Sequence, residues 1–298
     1  MKIVAVVVTY NRRELLKRNI HCLRANTPVS SIVVVNNGST DGTAEWLDTQ
    51  QDLTVIHQEN VGGSGGFHRG IEYAYQAGAE WIWCMDDDVF PRTDCMEHLL
   101  PYMTEPHVGI LAPRRLMEGQ IFTNDFQRVN LTNPFASMYQ QKLKKQVVNT
   151  PVEICGTAFE GLCIRREAVE KIGLPNKELF IFCDDTDYCL RTVLAGFRIL
   201  YIPSALMDKE KFFSNDNWEE RSKKKKWKRF YQVRNSTYLN HHYGRNWGVR
   251  YLRGFNGMLG YWLVALLTCP FKDVYSLKDV GKFWKAYCDG IHEKLGKY

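Results

Sequence analysis

The sequence has no C-x-x-C cysteine pair and no apolar run of membrane-spanning length, and each absence argues against a class of protein. None of its nine cysteines belongs to a C-x-x-C pair, and their number is odd. We therefore expect reduced, mostly buried thiols in a cytoplasmic protein, and no structural zinc site. The apolar run in the opening M-K-I-V-A-V-V-V-T-Y-N is too short for a secretory signal and lacks a small-residue cleavage site.

Size and composition indicate a globular protein. The 298 residues are 45% hydrophobic and 24% charged, which suits one large domain or a domain with an appendage. The formal net charge of +6 favours anionic partners. That excess does not distinguish nucleotides from acidic lipid headgroups.

Strands and helices alternate along the first third of the chain. Runs rich in Val and Ile predict buried strands at Ile3–Val8 and Ile32–Val35, and a third strand is expected at Leu53–His57. Apolar residues at helical spacing predict a helix at Arg13–Leu23, and another is expected from Phe67 to Ala77. This alternation predicts an α/β fold with a mainly parallel sheet and right-handed crossovers.

The rest of the chain is organised around W-I-W-C-M-D-D-D-V-F-P, where an apolar run ends at three adjacent carboxylates. The run predicts a buried strand, Trp81–Asp88. Alternation along a strand would place Asp86 and Asp88 on one side and Asp87 on the other. Two such carboxylates suit a hard cation, so we expect Mn²⁺ or Mg²⁺ at Asp86 and Asp88. The alternative is a solvated acidic turn.

Polar loops follow the first three strands, at Thr9–Asn11, Asn36–Gly42 and Asn60–Gly66. The carboxyl ends of parallel strands meet at one edge of a sheet, which is where α/β proteins bind ligands. Together with the carboxylate triplet, these loops indicate a nucleotide site. The third loop is not a P-loop, yet its four glycines in five residues would let the backbone approach a ligand closely.

A second carboxylate pair, Asp184 and Asp185, follows the apolar run L-F-I-F-C and precedes a helix predicted at Thr186–Ala195. A partly buried carboxylate there would suit a general base. The alternative is a plain helix N-cap, which the helix dipole would stabilise.

The remaining segments are less regular up to residue 217. We expect strands at Gly109–Ala112, Phe159–Ile164 and Phe197–Ile202, a helix at Arg166–Ile172, a hairpin or lid within Met117–Pro151, and a polar loop at Lys209–Asn217.

The C-terminal region differs in composition, which predicts a division into residues 1–215 and 216–298. Trp218–Asn235 is basic with interleaved aromatics, and Phe255–Phe271 is the most apolar stretch, yet at 17 residues it is short for a membrane span. These features indicate an in-plane contact with a membrane surface. The alternative is packed helices with a solvated lysine face.

The motifs resemble those of family 2 glycosyltransferases with the GT-A fold, over most of the chain. The matching pieces are V-V-T-Y-N-R at 7–12, V-V-V-N-N-G-S-T-D-G-T at 33–43, D-D-D at 86–88, D-D-T-D-Y-C-L-R at 184–191 and F-Y-Q-V-R-N at 230–235. N-V-G-G-S-G-G-F at 60–67, combined with the three aspartates, is similar to galactofuranosyltransferases, although rhamnosyltransferases share nearly all of it.

The resemblance implies inverting transfer from a nucleotide-diphosphate sugar to a saccharide acceptor that we expect to be lipid-linked. It implies Asp86 and Asp88 as metal ligands, Asp185 as the base on the acceptor hydroxyl, and Asp184 beside it. UDP-galactofuranose is the favoured donor and dTDP-rhamnose the alternative. The residues implied in substrate binding are Thr9, Tyr10, Asn11, Asn36, Asp41, Asn60, Gly63, Ser64, Gly65, Arg69, Asp87 and Lys209.

Two positions depart from the family pattern. Asn36 stands where the nucleotide loop commonly carries Asp, and Lys209 follows Pro203 where galactofuranosyltransferases carry a metal-binding His. A charged lysine has no lone pair for a metal. Either another group such as Asp208 supplies the third ligand, or Lys209 contacts the diphosphate.

Other functions are less consistent with the sequence. A nucleotidyltransferase would carry a basic, glycine-rich signature after the first strand, and Thr9-Tyr10-Asn11 stands there instead. A non-catalytic nucleotide-sugar-binding relative is a further alternative. Nucleic-acid binding is not expected, because Lys223–Lys226 has no groove-reading or stacking module beside it. We expect a peripheral protein on the inner face of the plasma membrane, and a possible homo-oligomer.

Overall fold

A computed structural model describes residues 1–143, 149–211, 216–269 and 274–298. The chain forms two compact units. The first, here called the sheet unit, comprises Met1–Arg128, Gln141–Lys177 and Asp184–Lys211. The second, the helical unit, comprises Val129–Gln140, Glu178–Cys183 and Phe212–Tyr298. The boundary predicted after residue 215 stays a prediction.

Strands and helices alternate in the sheet unit, as the sequence predicts. The strands are β1 (Ile3–Thr9), β2 (Ser31–Asn36), β3 (Leu53–His57), β4 (Trp81–Asp86), β5 (Val89–Pro91), β6 (Val108–Met117), β7 (Gln120–Phe122), β8 (Phe126–Val129), β9 (Tyr139–Lys142), β10 (Val152–Ile154), β11 (Leu162–Arg165) and β12 (Arg198–Lys209). The last residue of β8 and the first two of β9 belong to the helical unit. The helices are α1 (Arg13–Ala25), α2 (Thr43–Asp48), α3 (Gly62–Gln76), α4 (Cys95–Leu99), α5 (Arg166–Ile172) and α6 (Asp184–Leu194).

The central sheet is mixed and mostly parallel, in the order β10-β12-β6-β11-β4-β1-β2-β3. Strands β12, β6, β4, β1, β2 and β3 run in one direction, whereas β11 is antiparallel to both β4 and β6. Apolar side chains are buried on both faces of the sheet. The predicted α/β fold is confirmed. Since the carboxyl ends of the parallel strands meet at one edge, the polar loops gather there.

The glycine-rich segment is helical, so the prediction that a loop reaches Gly66 is wrong. Helix α3 begins at Gly62 and runs across all four glycines. A β-carbon on Gly66 would lie 2.5 Å from Val8 Cγ1, and one on Gly70 would lie 2.3 Å from Val6 Cγ1. The glycines therefore let α3 pack directly against β1, which is a packing reason for a glycine-rich sequence.

Other element bounds differ from the prediction at the sheet edge. Strand β4 ends at Asp86, and the next two aspartates form the turn to β5. Strand β12 continues to Lys209, which pairs with Val89 of β5, so Lys209 is not in a loop. Within Met117–Pro151 the structure shows β7, β8 and β9; residues 144–148 of that prediction and 212–215 of the predicted polar loop lie outside the described residues.

The helical unit contains α7 (Trp218–Tyr243), α8 (Gly254–Thr268) and α9 (Leu277–Ile291). Asn217 caps α7 in a reciprocal capping box with Glu220. Apolar residues of the three helices share one cluster, which includes Val233, Met258 and Phe283. The last residues of the predicted Phe255–Phe271 stretch, 270 and 271, lie outside the described part of the chain. No helix among the described residues is both long and apolar enough to cross a membrane.

Candidate active site

Asp87 and Asp88 lie in a turn, and a single arginine contacts both. Nη1 of Arg12 lies 3.1 Å from Asp87 Oδ1 and 3.2 Å from Asp88 Oδ2. The prediction that Asp87 points away from Asp88 is therefore wrong, because strand alternation stops at Asp86. Both turn aspartates are buried, whereas Asp86 is half-buried.

Asp87 ties the ends of β1 and β4 together. The hydroxyl of Thr9, the last residue of β1, donates to Asp87 Oδ2 at 2.7 Å. Burial raises the pKa of Asp87 to about 6, although Arg12 and the Thr9 hydroxyl oppose that rise. Thr9 and Asp87 are thus engaged with each other at the sheet edge, and their predicted contact with substrate stays a prediction.

Asp88 starts a chain of buried ion pairs. Lys209 Nζ lies 3.2 Å from Asp88 Oδ1 and 2.8 Å from Glu160 Oε1. The other carboxylate oxygen of Glu160 lies 2.7 Å from Arg115, whose guanidinium also pairs with Asp125 at 2.6 Å. Burial acts to lower the pKa of Lys209, yet Glu160 and Asp88 outweigh it and raise that pKa. The lysine is therefore held charged.

Sequence reasoning missed Glu160. It precedes β11, and β11 runs antiparallel to β4, with Gly161 N donating to Cys84 O at 2.9 Å. The start of β11 therefore lies beside the end of β4, next to the aspartates. One signal was available in the sequence: A-F-E-G-L-C-I places a single carboxylate inside an apolar run. Such a charge needs a buried partner.

The chemistry of Asp86 fits a divalent cation. Burial raises the pKa of Asp86 well above its ordinary value, Asp88 adds to the rise, and Lys209 opposes it. Its carboxylate makes no hydrogen bond or ion pair within the described ranges, and carboxylate oxygens are ligands that Mg²⁺ and Mn²⁺ prefer. No group of three or more His, Cys, Asp or Glu residues suited to a metal occurs among the residues described. The site offers carboxylates to a cation, and substrate phosphates commonly complete such a shell.

Asp184 and Asp185 form the first turn of α6, and both are half-buried. Burial raises the pKa of Asp184 to about 7, and Asp185 adds to that rise. Burial also raises the pKa of Asp185 to about 6; hydrogen bonds from the backbone and hydroxyl of Thr186 oppose the rise, while Glu160 adds to it. Capping hydrogen bonds at the start of α6 act to lower both pKa values, and burial raises them by more.

A strained segment in the helical unit directly precedes Asp184 in the sequence. Phe180, Phe182 and Cys183 all have positive φ, near 65°. Within the same unit, the amide of Asn235 donates to the carbonyl oxygens of Leu179, Ile181 and Phe182, each at 2.9 Å. These bonds offset the cost of left-handed backbone at non-glycine residues. They also give a structural role to the last residue of F-Y-Q-V-R-N.

The first two polar loops are joined to each other. The backbone N–H of Asn11 donates to Ser39 Oγ at 3.0 Å, and Asn11 Oδ1 accepts from the N–H of Thr40 at 2.6 Å. Asp41 accepts from the N–H of Arg13 at 3.0 Å. Tyr10, which lies between Thr9 and Asn11 in the sequence, is exposed.

Several predicted substrate residues are already engaged. Asn36 is buried and contacts Ser39 N and His57, Asn60 accepts from the N–H of Gly62 at 3.0 Å, and exposed Arg69 pairs with Glu72 at 2.6 Å. These contacts show local structural roles, and the predicted roles in substrate binding stay predictions.

Ser64 and its neighbours in α3 differ from that pattern. A β-carbon on Gly63 would meet no atom within 4 Å, so the backbone there faces open space. Gly65 instead packs on Val61, whose Cγ2 would lie 2.5 Å from an added β-carbon. The hydroxyl of Ser64 lies close enough to Asp184 to act to lower the pKa of that carboxyl, which places the start of α3 beside the carboxylate pair.

The mixed, mostly parallel sheet with polar loops at its carboxyl-end edge is a GT-A fold. Residues 4–173, more than half of the chain, match the family described as Glycosyl transferase family 2. The protein belongs to that family, as its motifs predict.

Named relatives act on different sugars. Galactofuranosyltransferase GlfT1 of Mycolicibacterium smegmatis is 27% identical over 205 residues, covering 65% of this chain and 66% of GlfT1, just under two thirds of the relative. dTDP-rhamnosyl transferase RfbF of Shigella flexneri is 28% identical over 209 residues, covering 69% of this chain and 68% of RfbF. The solved mannosyltransferase PcManGT from Pyrobaculum calidifontis, in complex with GDP-Man and Mn²⁺, has a TM-score of 0.52 at 13% identity, covering 98% of this chain and 88% of its own.

Proposed function

We propose that the protein is an inverting glycosyltransferase that moves a sugar from a nucleotide-diphosphate donor to a saccharide acceptor. One observation carries this proposal. The charge of Glu160 raises the pKa of both Asp86 and Asp185, so the two carboxylate clusters lie within electrostatic reach of one half-buried side chain. Inversion requires a charge-stabilising cluster for the leaving group and a separate base for the acceptor.

The residues have distinct roles in this proposal. Asp86 and Asp88 would hold Mn²⁺ or Mg²⁺, which when bound neutralises the charge that develops on the leaving diphosphate. Asp185 removes the proton from the acceptor hydroxyl, and its raised pKa suits a base that works near neutral pH. Asp184 positions the acceptor. A single carboxylate near the anomeric carbon is sufficient, because no covalent intermediate forms.

The donor is proposed to be UDP-galactofuranose, with dTDP-rhamnose as the alternative. N-V-G-G-S-G-G-F at 60–67, the three aspartates and the similarity to GlfT1 support the first, and the similarity to RfbF supports the second. Nucleotide release from both donors, and from common UDP-hexoses, separates these proposals. The Asp185→Asn protein, which lacks the proposed base, is the inactive control. Release from none of them by the wild-type enzyme would contradict the proposed function.

The acceptor is proposed to be lipid-linked and presented at the inner face of the plasma membrane. In the helical unit, α8 and α7 are antiparallel: Gly254 contacts Thr237, and the hydroxyl of Tyr261 donates to Gln232. This alignment brings the exposed apolar end of α8, which includes Leu263 and Leu267, level with the lysine-rich start of α7. Apolar side chains beside lysines suit an anionic membrane surface.

Vesicle sedimentation over a salt series tests this surface. Lys226 should be left unchanged, because it pairs with Asp279 at 2.7 Å and holds α7 to α9. We expect a triple Lys→Gln variant at residues 223–225 to lose binding to anionic vesicles. A matched triple variant of exposed lysines in the sheet unit (Lys142, Lys171 and Lys177) should keep it. Equal binding by both variants would leave the lysines of α7 as a solvated face.

A molar mass measured in solution tests the expected homo-oligomer.

A further inference from the structure

Lys209 is a cation between two carboxylates, at the edge of the sheet where the donor diphosphate is proposed to bind. Lys209 Nζ contacts Asp88 and Glu160, and its side chain is only 10% exposed. Its backbone is fixed as well, because Lys209 pairs with Val89 and the N–H of Glu210 donates to the carbonyl of Asp88 at 2.9 Å. A lysine held at both ends is a built feature of the sheet edge, unlike a mobile surface lysine.

The Lys209 ammonium has one N–H donor more than it has carboxylate partners. A charged lysine has three N–H donors, and Lys209 has two partners within the described parts of the chain, Asp88 and Glu160. The third donor has no partner among the described residues and is the one assigned to a phosphate oxygen. Lys209 lies at the carboxyl end of β12, which runs parallel to β6, so this donor is at the sheet edge where the nucleotide is expected.

Glu160 decides how strongly Lys209 neutralises Asp88. Its oxygen is nearer to the ammonium, at 2.8 Å against 3.2 Å for Asp88. Glu160 is itself fixed from the other side by Arg115, which is buried and paired with Asp125. The network therefore divides the lysine's charge between two carboxylates, while the other oxygen of Asp88 pairs with Arg12.

We propose that Lys209 binds the donor diphosphate directly, and that Glu160 is the positioning residue that holds it in place; this rests on the proposed use of a nucleotide-diphosphate donor. The lysine then supplies part of the neutralisation that a divalent cation supplies elsewhere. Nucleotide binding should accordingly persist, though weakened, when divalent cations are removed. A metal-binding side chain at this position would instead make binding depend on the cation.

Calorimetric titration with UDP, dTDP and GDP tests this, in EDTA and in Mn²⁺. We expect Lys209→Met to lower affinity in EDTA by about tenfold to a hundredfold, the loss of one charge-assisted hydrogen bond. Lys209→Arg should retain most of the binding in EDTA, and Lys209→His should bind tightly only with Mn²⁺. Glu160→Gln should lose less than Lys209→Met. Lys211→Met is the matched control, because Lys211 pairs with Glu118 and is more exposed.

The outcomes separate the inference from the function on which it rests. If the wild-type protein and Lys209→Met bind the nucleotide equally in EDTA, or both bind only with Mn²⁺ and equally well, Lys209 is not a phosphate ligand and the proposed function stands. If the wild-type protein binds none of the three nucleotides in either condition, both are overturned. Thermal melts of every variant identify misfolding, and Lys209→Arg keeps the test decisive if Lys209→Met does not fold.

Discussion

Replacing Asp185 by asparagine tests the assignment of the base. The side chain keeps its size and loses the ability to take a proton. General-base catalysis typically contributes about 10²–10⁴-fold, so kcat should fall by that factor. Nucleotide affinity should change little, because Asp185 lies in α6 rather than among the residues proposed for the diphosphate. Asp184→Asn makes the same change one residue earlier and should reduce activity less.

The pH profile gives a second magnitude for the same base. Burial raises the pKa of Asp185 to about 6, so the wild-type base is roughly 90% ionised at pH 7 and about 10% ionised at pH 5. Activity should therefore fall about tenfold between these pH values. Glu160→Gln removes a charge that raises this pKa, so it should move the acid limb to lower pH.

The assay is nucleotide release from the donor that the screen selects, with water as the acceptor, followed from pH 4.5 to 8. Folding is checked separately, because stability has its own expected direction. A carboxyl group whose pKa is raised in the folded state makes the protein less stable as the pH rises from the group's ordinary pKa, near 4, through its folded-state pKa of about 6. Asp185→Asn should thus melt no lower than the wild-type protein at pH 7. An inactive Asp184→Asn beside an active Asp185→Asn would refute the assignment.

Three further changes test the surrounding structure. Asp86→Asn should weaken Mn²⁺-supported nucleotide binding, whereas Asp87→Asn should chiefly lower the melting temperature, because Asp87 bonds to Thr9; equal losses of binding would contradict this difference. Gly70→Ala should cost about 1–3 kcal/mol in chemical denaturation, because a β-carbon would collide with β1, and an unchanged midpoint would contradict that packing. Asp125→Asn removes one of the two carboxylates that pair with buried Arg115; breaking such a buried ion pair should cost about 3–5 kcal/mol, and a loss below 1 kcal/mol would be the contrary result.

Elements with local sequence signals are predicted accurately from the amino-acid sequence. Runs of Val and Ile define β1 and β2 to within one residue at each end, and β3 and α5 have the predicted bounds. Such strands are buried on both faces, so their sequences are apolar without alternation. The motifs likewise identified the family, because the polar residues that end each strand are contiguous in the chain.

The charges that meet at the sheet edge could not be paired from sequence, because they come from distant parts of the chain. Thr9 and Asp87 are 78 residues apart, and Lys209 and Asp88 are 121 apart. Their contacts depend on strand order and direction, in particular on antiparallel β11, which carries Glu160 to the end of β4. Local pattern also misjudged the glycines of α3, whose reason lies in the close approach of β1. Residue types are chosen locally, whereas the partner of a buried charge is fixed by chain segments that pack together only in the folded protein.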